Sequence, residues 1–192
     1  LVLPNAGALS NAQTRQIRRF VNAGGTLIAT GQTSLYDETG ARRSDFGLSE
    51  TLGVRYVSDV SSPNTIVSPA KSRVGQSLGE SFVNETGHVR VRATSGSLRV
   101  LAQVRDAAGN LSPSVTVNHH GRGRAIYIGF QPDVKSAVSS VGGGAHPGKA
   151  FTDPRVPEGS RLLTDLVKSE CDSLAIVAEN IPPGVVVQGY TH

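Results

Sequence analysis

Five groupings of side chains in this sequence are of types that do chemistry. Ser34 with His119 or His120 is a nucleophile and base pairing, which requires the hydroxyl and an imidazole to meet within about 3 Å. Asp37 and Glu38 are adjacent carboxylates. Glycosidic cleavage needs two carboxylates facing each other across a sugar, which neighbours in one turn do not do. His119-His120 is the most metal-like pair. Successive side chains of a strand point to opposite faces, and no further ligands of defined geometry accompany them, so an exposed loop is expected and no metal. Gly121-Arg122-Gly123 has the glycines of a phosphate-cradling loop. It lacks the lysine and serine of such loops and precedes a strand rather than a helix, so it reads as a tight turn. Cys171 follows Glu170 with no histidine nearby in sequence, which is the pattern of a packing residue.

The elements that must position these groups begin with a β-α-β unit. Leu1-Val2-Leu3, closed by Pro4, is a short apolar run of the kind a parallel sheet covers on both faces. Ser10 stands three residues before Gln13, the spacing of a capping box. Ile17, Phe20 and Val21 share one helical face, and burying such side chains stabilises by roughly 1.5–3 kcal/mol each. Gly24-Gly25 ends the helix, and Thr26 to Thr30 is a second buried strand. The crossover between them is expected to be right-handed.

Ligands gather at the carboxyl ends of parallel strands. The loops leaving those ends are residues 4–7 and 31–38. They make Asn5, Gln32, Ser34, Tyr36 and Asp37 the candidate ligand-binding residues, with His119 as an outlying sixth. A hydrolase of this shape would carry a nucleophile at a sharp G-x-S-x-G turn. That pattern is absent here. Ser34 lacks the flanking glycines, and a polar loop in which Ser34 or Thr33 caps the next turn is the favoured reading. No catalytic residue is assigned.

Downstream, Ser44 to Leu52 reads as a short helix stopped by Gly53, with Phe46, Leu48 and Leu52 as its apolar contacts. Val54–Val57 is a strand, and 58–80 is mainly loop. From 81 to 131 the texture is β. His88–Arg92 alternates as a strand with one wet face. Leu98–Val104, Ser114–Asn118 and Arg124–Phe130 follow as strands, the last two joined by a long loop over 118–123. A turn spans Asp106–Asn110. The Gly- and Ser-rich stretch 131–159 is expected to be mobile. A helix over 160–168 and strands at 174–177 and 185–187 complete the chain. Residues 1–180 are taken as one domain and 181–192 as the start of a linker or following β domain.

Composition sets the outer bounds. The chain has 192 residues, 38% of them hydrophobic, with 22 glycines and 10 prolines, which permits a normal core and many loops. One cysteine forms no disulfide framework. No run of 18 apolar residues and no signal-peptide pattern is present, which leaves both cytoplasm and secretion open. The absence of methionine and the start at Leu1 are those of a processed piece or fragment. The net charge of +4 comes from dispersed arginines with only 5% aromatics, unlike the clustered basic and aromatic surface that binds nucleic acid.

The segments Leu1–Asn5, Ile17–Gly31 and Ser34–Asp37, with Gly121-Arg122-Gly123-Arg124-Ala125-Ile126-Tyr127, resemble the β-galactosidase trimerisation-type domain found in family 42 glycoside hydrolases and related bacterial proteins. The likeness lies over residues 1–55 and 114–130. It implies an α/β fold, flavodoxin-like and akin to class I glutamine amidotransferases, with flanking helices, a β-rich middle portion and its amino-terminal part missing. It also implies a non-catalytic middle domain without cofactor that associates with itself or with the rest of its polypeptide, and whose copy on a neighbouring subunit helps wall a sugar site. An upstream barrel would carry the acid and the nucleophile. A small serine hydrolase using Ser34 and a carbohydrate- or metabolite-binding module are the alternatives.

Overall fold

The computed structural model of the chain describes residues 1–61, 65–69, 82–84, 87–107 and 109–131. The expected helix over 160–168, the strands at 174–177 and 185–187, the stretch from 132, the linker at 181–192 and Cys171 lie outside them.

The amino-terminal unit forms as its residues dictate. β1 (Val2–Leu3), α1 (Asn11–Asn22) and β2 (Thr26–Thr30) follow in order, and β1 pairs parallel to β2 with Val2 opposite Ile28. Ser10 is extended and closes both halves of the capping box. Its Oγ accepts from the Gln13 N–H at 3.1 Å, and Gln13 Oε1 accepts from the Ser10 N–H at 2.8 Å. At the far end the Gly25 N–H donates to Phe20 O and the Gly24 N–H to Val21 O. These are the two bonds of a Schellman stop, with Gly24 at φ 115° where a side chain would be strained.

Two expectations for this unit need correction. β1 is not covered on both faces. It sits at the edge of the sheet with Leu1 and Val2 exposed, because among the described residues it has a neighbour on one side only. Phe20 does not share the buried face of Val21. It is 44% exposed, and its ring lies across Gly25, where a Cβ would sit 2.4 Å from it.

The remaining elements are α2 (Ser49–Leu52), β3 (Val54–Val60), β4 (Thr65–Pro69), β5 (Phe82–Asn84), β6 (His88–Ala93), β7 (Arg99–Arg105), β8 (Leu111–His120) and β9 (Gly123–Ile128). Seven strands make one sheet in the order β1-β2-β9-β8-β7-β4-β5, parallel across β1, β2 and β9 and antiparallel beyond. β3 and β6 form a separate antiparallel ribbon with an irregular register at Val57. The fold is thus mixed α/β and dominated by its sheet.

One core lies between a face of the sheet (Leu27, Ala29, Ala125, Tyr127) and Val21, Leu52, Val89 and Val91 of the helices and ribbon. Ile28, Val115, Val117, Ile126 and Ile128 bury the opposite face. In β9 the alternation is therefore between two buried faces, which is why its sequence is almost continuously apolar.

The downstream expectations are refined at three places. Within the stretch expected to be mainly loop, 58–80, the described residues include two strand segments, since β3 continues to Val60 and β4 pairs with both β5 and β7, while 62–64 and 70–80 lie outside the described residues. Of the expected helix over 44–52, only Ser49–Leu52 is helical. Ser34 draws in the preceding chain, accepting the Gly47 N–H on its carbonyl at 2.8 Å and the Leu48 N–H on Oγ at 3.2 Å. His119 and His120 belong to β8 rather than to a loop, paired with Arg124 and Gly123, and the hairpin turns on Gly121-Arg122 alone.

That turn docks on the end of α1. The Arg122 N–H donates to Asn22 O and its guanidinium to Ala23 O, both at 3.1 Å, placing a cation where the helix dipole favours one. Gly123 is pressed so close that a Cβ would lie 2.1 Å from Val21 O and 2.3 Å from Gly25 O. We therefore expect Gly123→Ala to cost about 2–3 kcal/mol, because backbone must move to admit it. Gly96→Ala, where a Cβ meets nothing within 4 Å, serves as control. Urea unfolding of both variants checks this, and equal midpoints would refute the docking account.

Candidate functional site

The strand ends of the parallel segment converge as the topology requires. Asn5 follows β1, Gly31 and Gln32 follow β2, and Gly129 to Gln131 follow β9. All three exits open on one cleft of about 370 Å³. Its other wall is the end of the ribbon, Asp59–Ser61 and Gly87–Val89. This is the crevice in which open parallel sheets hold ligands.

Asn5 organises the floor. At φ 49° it adopts the left-handed region that asparagine tolerates. Its N–H donates to Thr30 Oγ1 at 2.9 Å, and its Oδ1 accepts from the Gln32 N–H at 2.8 Å. Gly31, at φ 57°, admits the Asn5 amide over its Cα, since a Cβ there would lie 2.5 Å from Asn5 Oδ1. Beneath it the buried Tyr127 hydroxyl donates to Gly31 O at 2.8 Å. Burial pushes that phenol well above its usual range, so it stays a neutral donor.

A polar cluster forms the rim. Gln32 Nε2 donates to Asp59 Oδ1 at 3.1 Å, and the Tyr56 hydroxyl donates to Asp59 Oδ2 at 3.0 Å. Arg42 pairs with the same Oδ2 at 2.8 Å and lies over the Tyr56 ring, 4.8 Å from its centroid. Partial burial raises the Asp59 pKa, but the hydrogen bonds from Gln32, Arg42 and Tyr56 outweigh it and hold the carboxyl below its ordinary value. His88 lines the same ribbon wall, paired with Val60 beside Asp59. Burial first, then the charge of Arg90, lowers its pKa against the opposing pull of Asp106, so the imidazole is neutral at pH 7.

The candidate residues separate cleanly. Asn5 and Gln32 line the cleft. Tyr36 lies outside it, bridged in backbone to Ala8 and Arg42, with its ring against the core. Asp37 Oδ1 accepts from the Thr39 and Ala41 N–H groups and the Thr39 hydroxyl, closing its own turn. The Thr39 hydroxyl leads the causes that lower its pKa.

Ser34 is fully buried at φ 67°, its N–H donating to Ala6 O and its Oγ accepting from Leu48. Such backbone strain accompanies nucleophile turns, yet here the hydroxyl faces the interior rather than a substrate. His119 is level with Arg124 and Thr26, at the start of β2, whereas Ser34 lies beyond Thr30. Four strand residues separate those levels, about 13 Å at 3.3 Å per residue. The hydrolase pairing of Ser34 with either histidine is therefore excluded. Among the described residues no group of three or more metal-ligating side chains converges, and no helix is long and apolar enough to cross a membrane.

Sequence reading missed Asp59, His88 and Gln131. Polar residues at 88, 90 and 92 suggest one wet face, but only Arg92 of the three is exposed and His88 is buried against the cleft. The one available signal was a carboxylate near the end of a strand, which many surface positions share.

Asp59→Asn tests the rim. A depressed carboxyl stabilises the fold above its unfolded pKa of about 3.9, and that contribution is lost as pH falls through the folded value. The side chain is 34% exposed, so the effect is about 1 kcal/mol or less. The stability gap between the native chain and the variant should be largest from about pH 5 upward and close below about pH 4. Urea titrations across that range check it, and a gap independent of pH would refute the assignment.

Residues 1–141 match the family model described as the β-galactosidase trimerisation domain. No curated protein matches the chain. Similar solved structures include the cold-adapted β-galactosidase of Rahnella sp. R3, at 24% identity and TM-score 0.58 over 67% of this chain and 19% of that one. The GH42 β-galactosidase Gan42B of G. stearothermophilus is 18% identical, with TM-score 0.65 over 90% of this chain and 21% of that one. The β-galactosidase of the Antarctic haloarchaeon Halorubrum lacusprofundi is 16% identical, with TM-score 0.64 over 95% and 23%. At these identities the likeness establishes the fold. The chain spans about a fifth of the length of these structures.

Proposed function

Because this chain belongs to the β-galactosidase trimerisation domain family, we propose that it is the self-associating accessory module of a glycoside hydrolase-like polypeptide. The acid and the nucleophile of such a polypeptide would lie in another domain. Three copies of the module would hold the catalytic domains together, and each copy would shape a neighbour's sugar site.

The observation that carries this reading is the family match over residues 1–141, on a chain whose Ser34 is buried and remote from His119. The parallel segment β1-β2-β9 supports a flavodoxin-like kinship, close to the class I glutamine amidotransferases, from which the open nucleophile turn has been lost. We take residues 1–180 as this module and 181–192 as the start of a linker or following β domain.

Sedimentation velocity over a hundredfold range of concentration tests the assembly. The expected species has three times the 20.0 kDa mass of the chain. A monomer at every concentration would overturn the reading.

A further inference from the structure

We propose that the cleft at the carboxyl ends of β1, β2 and β9 binds a neutral polyhydroxylated ligand of monosaccharide size. The inference rests on the cleft's own chemistry and is independent of the trimer. About 370 Å³ is at the small end of ligand pockets, which suits a single sugar ring rather than a nucleotide or an oligosaccharide.

The polar groups sort by what they have left to offer. Asn5 spends Oδ1 on the Gln32 N–H, which leaves its Nδ2 hydrogens as donors. Gln32 spends Nε2 on Asp59, which leaves Oε1 as an acceptor. Asp59 Oδ1 accepts once from Gln32 and retains a second lone pair. Gln131, on the β9 side, also lines the cleft and carries an amide with both functions. Donors and acceptors thus both line a small volume, which matches hydroxyl groups, each of them both donor and acceptor.

Charge narrows the class further. Among the described residues that line the cleft there is no lysine or arginine, and the Arg42 guanidinium at its rim is engaged by Asp59 and Tyr56. Among the described residues, a phosphate or carboxylate would enter beside Asp59 with no lining cation committed to it. An amine would find a carboxylate already neutralised by Arg42. A neutral polyol meets neither penalty.

The test is two-dimensional amide NMR of the 192-residue chain titrated with D-galactose, D-glucose and D-glucitol, with D-galacturonate and ethanolamine as charged arms. We expect saturable shifts at the Gly31, Gly87 and Gly129 amides with at least one neutral probe, and at least tenfold weaker shifts with the charged ones. Gln32→Leu, which keeps volume but removes the acceptor, should weaken binding at least tenfold. Gly96→Ala should leave it unchanged. No saturable shift at those three amides with any neutral probe, or equal response to galacturonate, would overturn the proposal. Sedimentation of the same samples separates the two readings, since a trimer that binds no polyol refutes only the cleft.

Discussion

The structure depends on an interlock between the chain leaving β1 and the chain leaving β2. The Asn5 side chain holds the Gln32 N–H, and the Asn5 N–H is held by Thr30. Thr33 Oγ1 donates to Leu3 O, the Ser34 N–H to Ala6 O, and the Tyr36 N–H to Gly7 O. Each such bond contributes only about 1 kcal/mol net, but an unpaired buried group would cost about 1–3 kcal/mol. The set therefore forms as a unit or not at all. It consumes the polar groups that an enzyme of this shape would spend on substrate, and it lets a non-glycine residue occupy φ 67° at Ser34, at a cost of about 1–2 kcal/mol.

From that interlock the rest is placed. Ser34 anchors Gly47 and Leu48, which shortens α2 and delivers Gly53 at φ 71° into β3. Asn118 of β8 reaches across to the Thr51 carbonyl at 2.9 Å, so the antiparallel half of the sheet is tied to the same segment. The ribbon then returns to the sheet through the Val89 N–H, which donates to Gly129 O at 2.6 Å. The cleft is what remains between these ties. Among the described residues its walls come from five separate stretches of chain.

Legibility from sequence followed how local each cause was. The capping box of α1, the glycine stop at 24–25, the β2 strand and the parallel pairing with β1 were all readable, because each rests on residues within a few positions or on a continuous apolar run. Phe20 was misread because helical periodicity says which side chains share a face, not how far the neighbouring sheet extends beneath them. β1 was misread because burial depends on a neighbour and not on apolarity. The histidines at 119 and 120 looked like a loop beside Gly121, yet a two-residue turn at φ 62° suffices there. Of the cleft, Asn5 and Gln32 were legible as loop residues at strand ends. Asp59 and His88 were not, since nothing in the spacing of residues 54–60 and 88–93 reveals that the ribbon folds over the exits of β2 and β9.

The central claim is that the turn after β2 is a structural clasp whose serine faces inward. Native-state hydrogen exchange measures it most directly. The amides of Gln32, Ser34 and Leu48 should exchange as slowly as those of Ile28 and Ala29 in the buried strand. Exchange of those three amides at the rate of an open loop, while β2 stays protected, would contradict it.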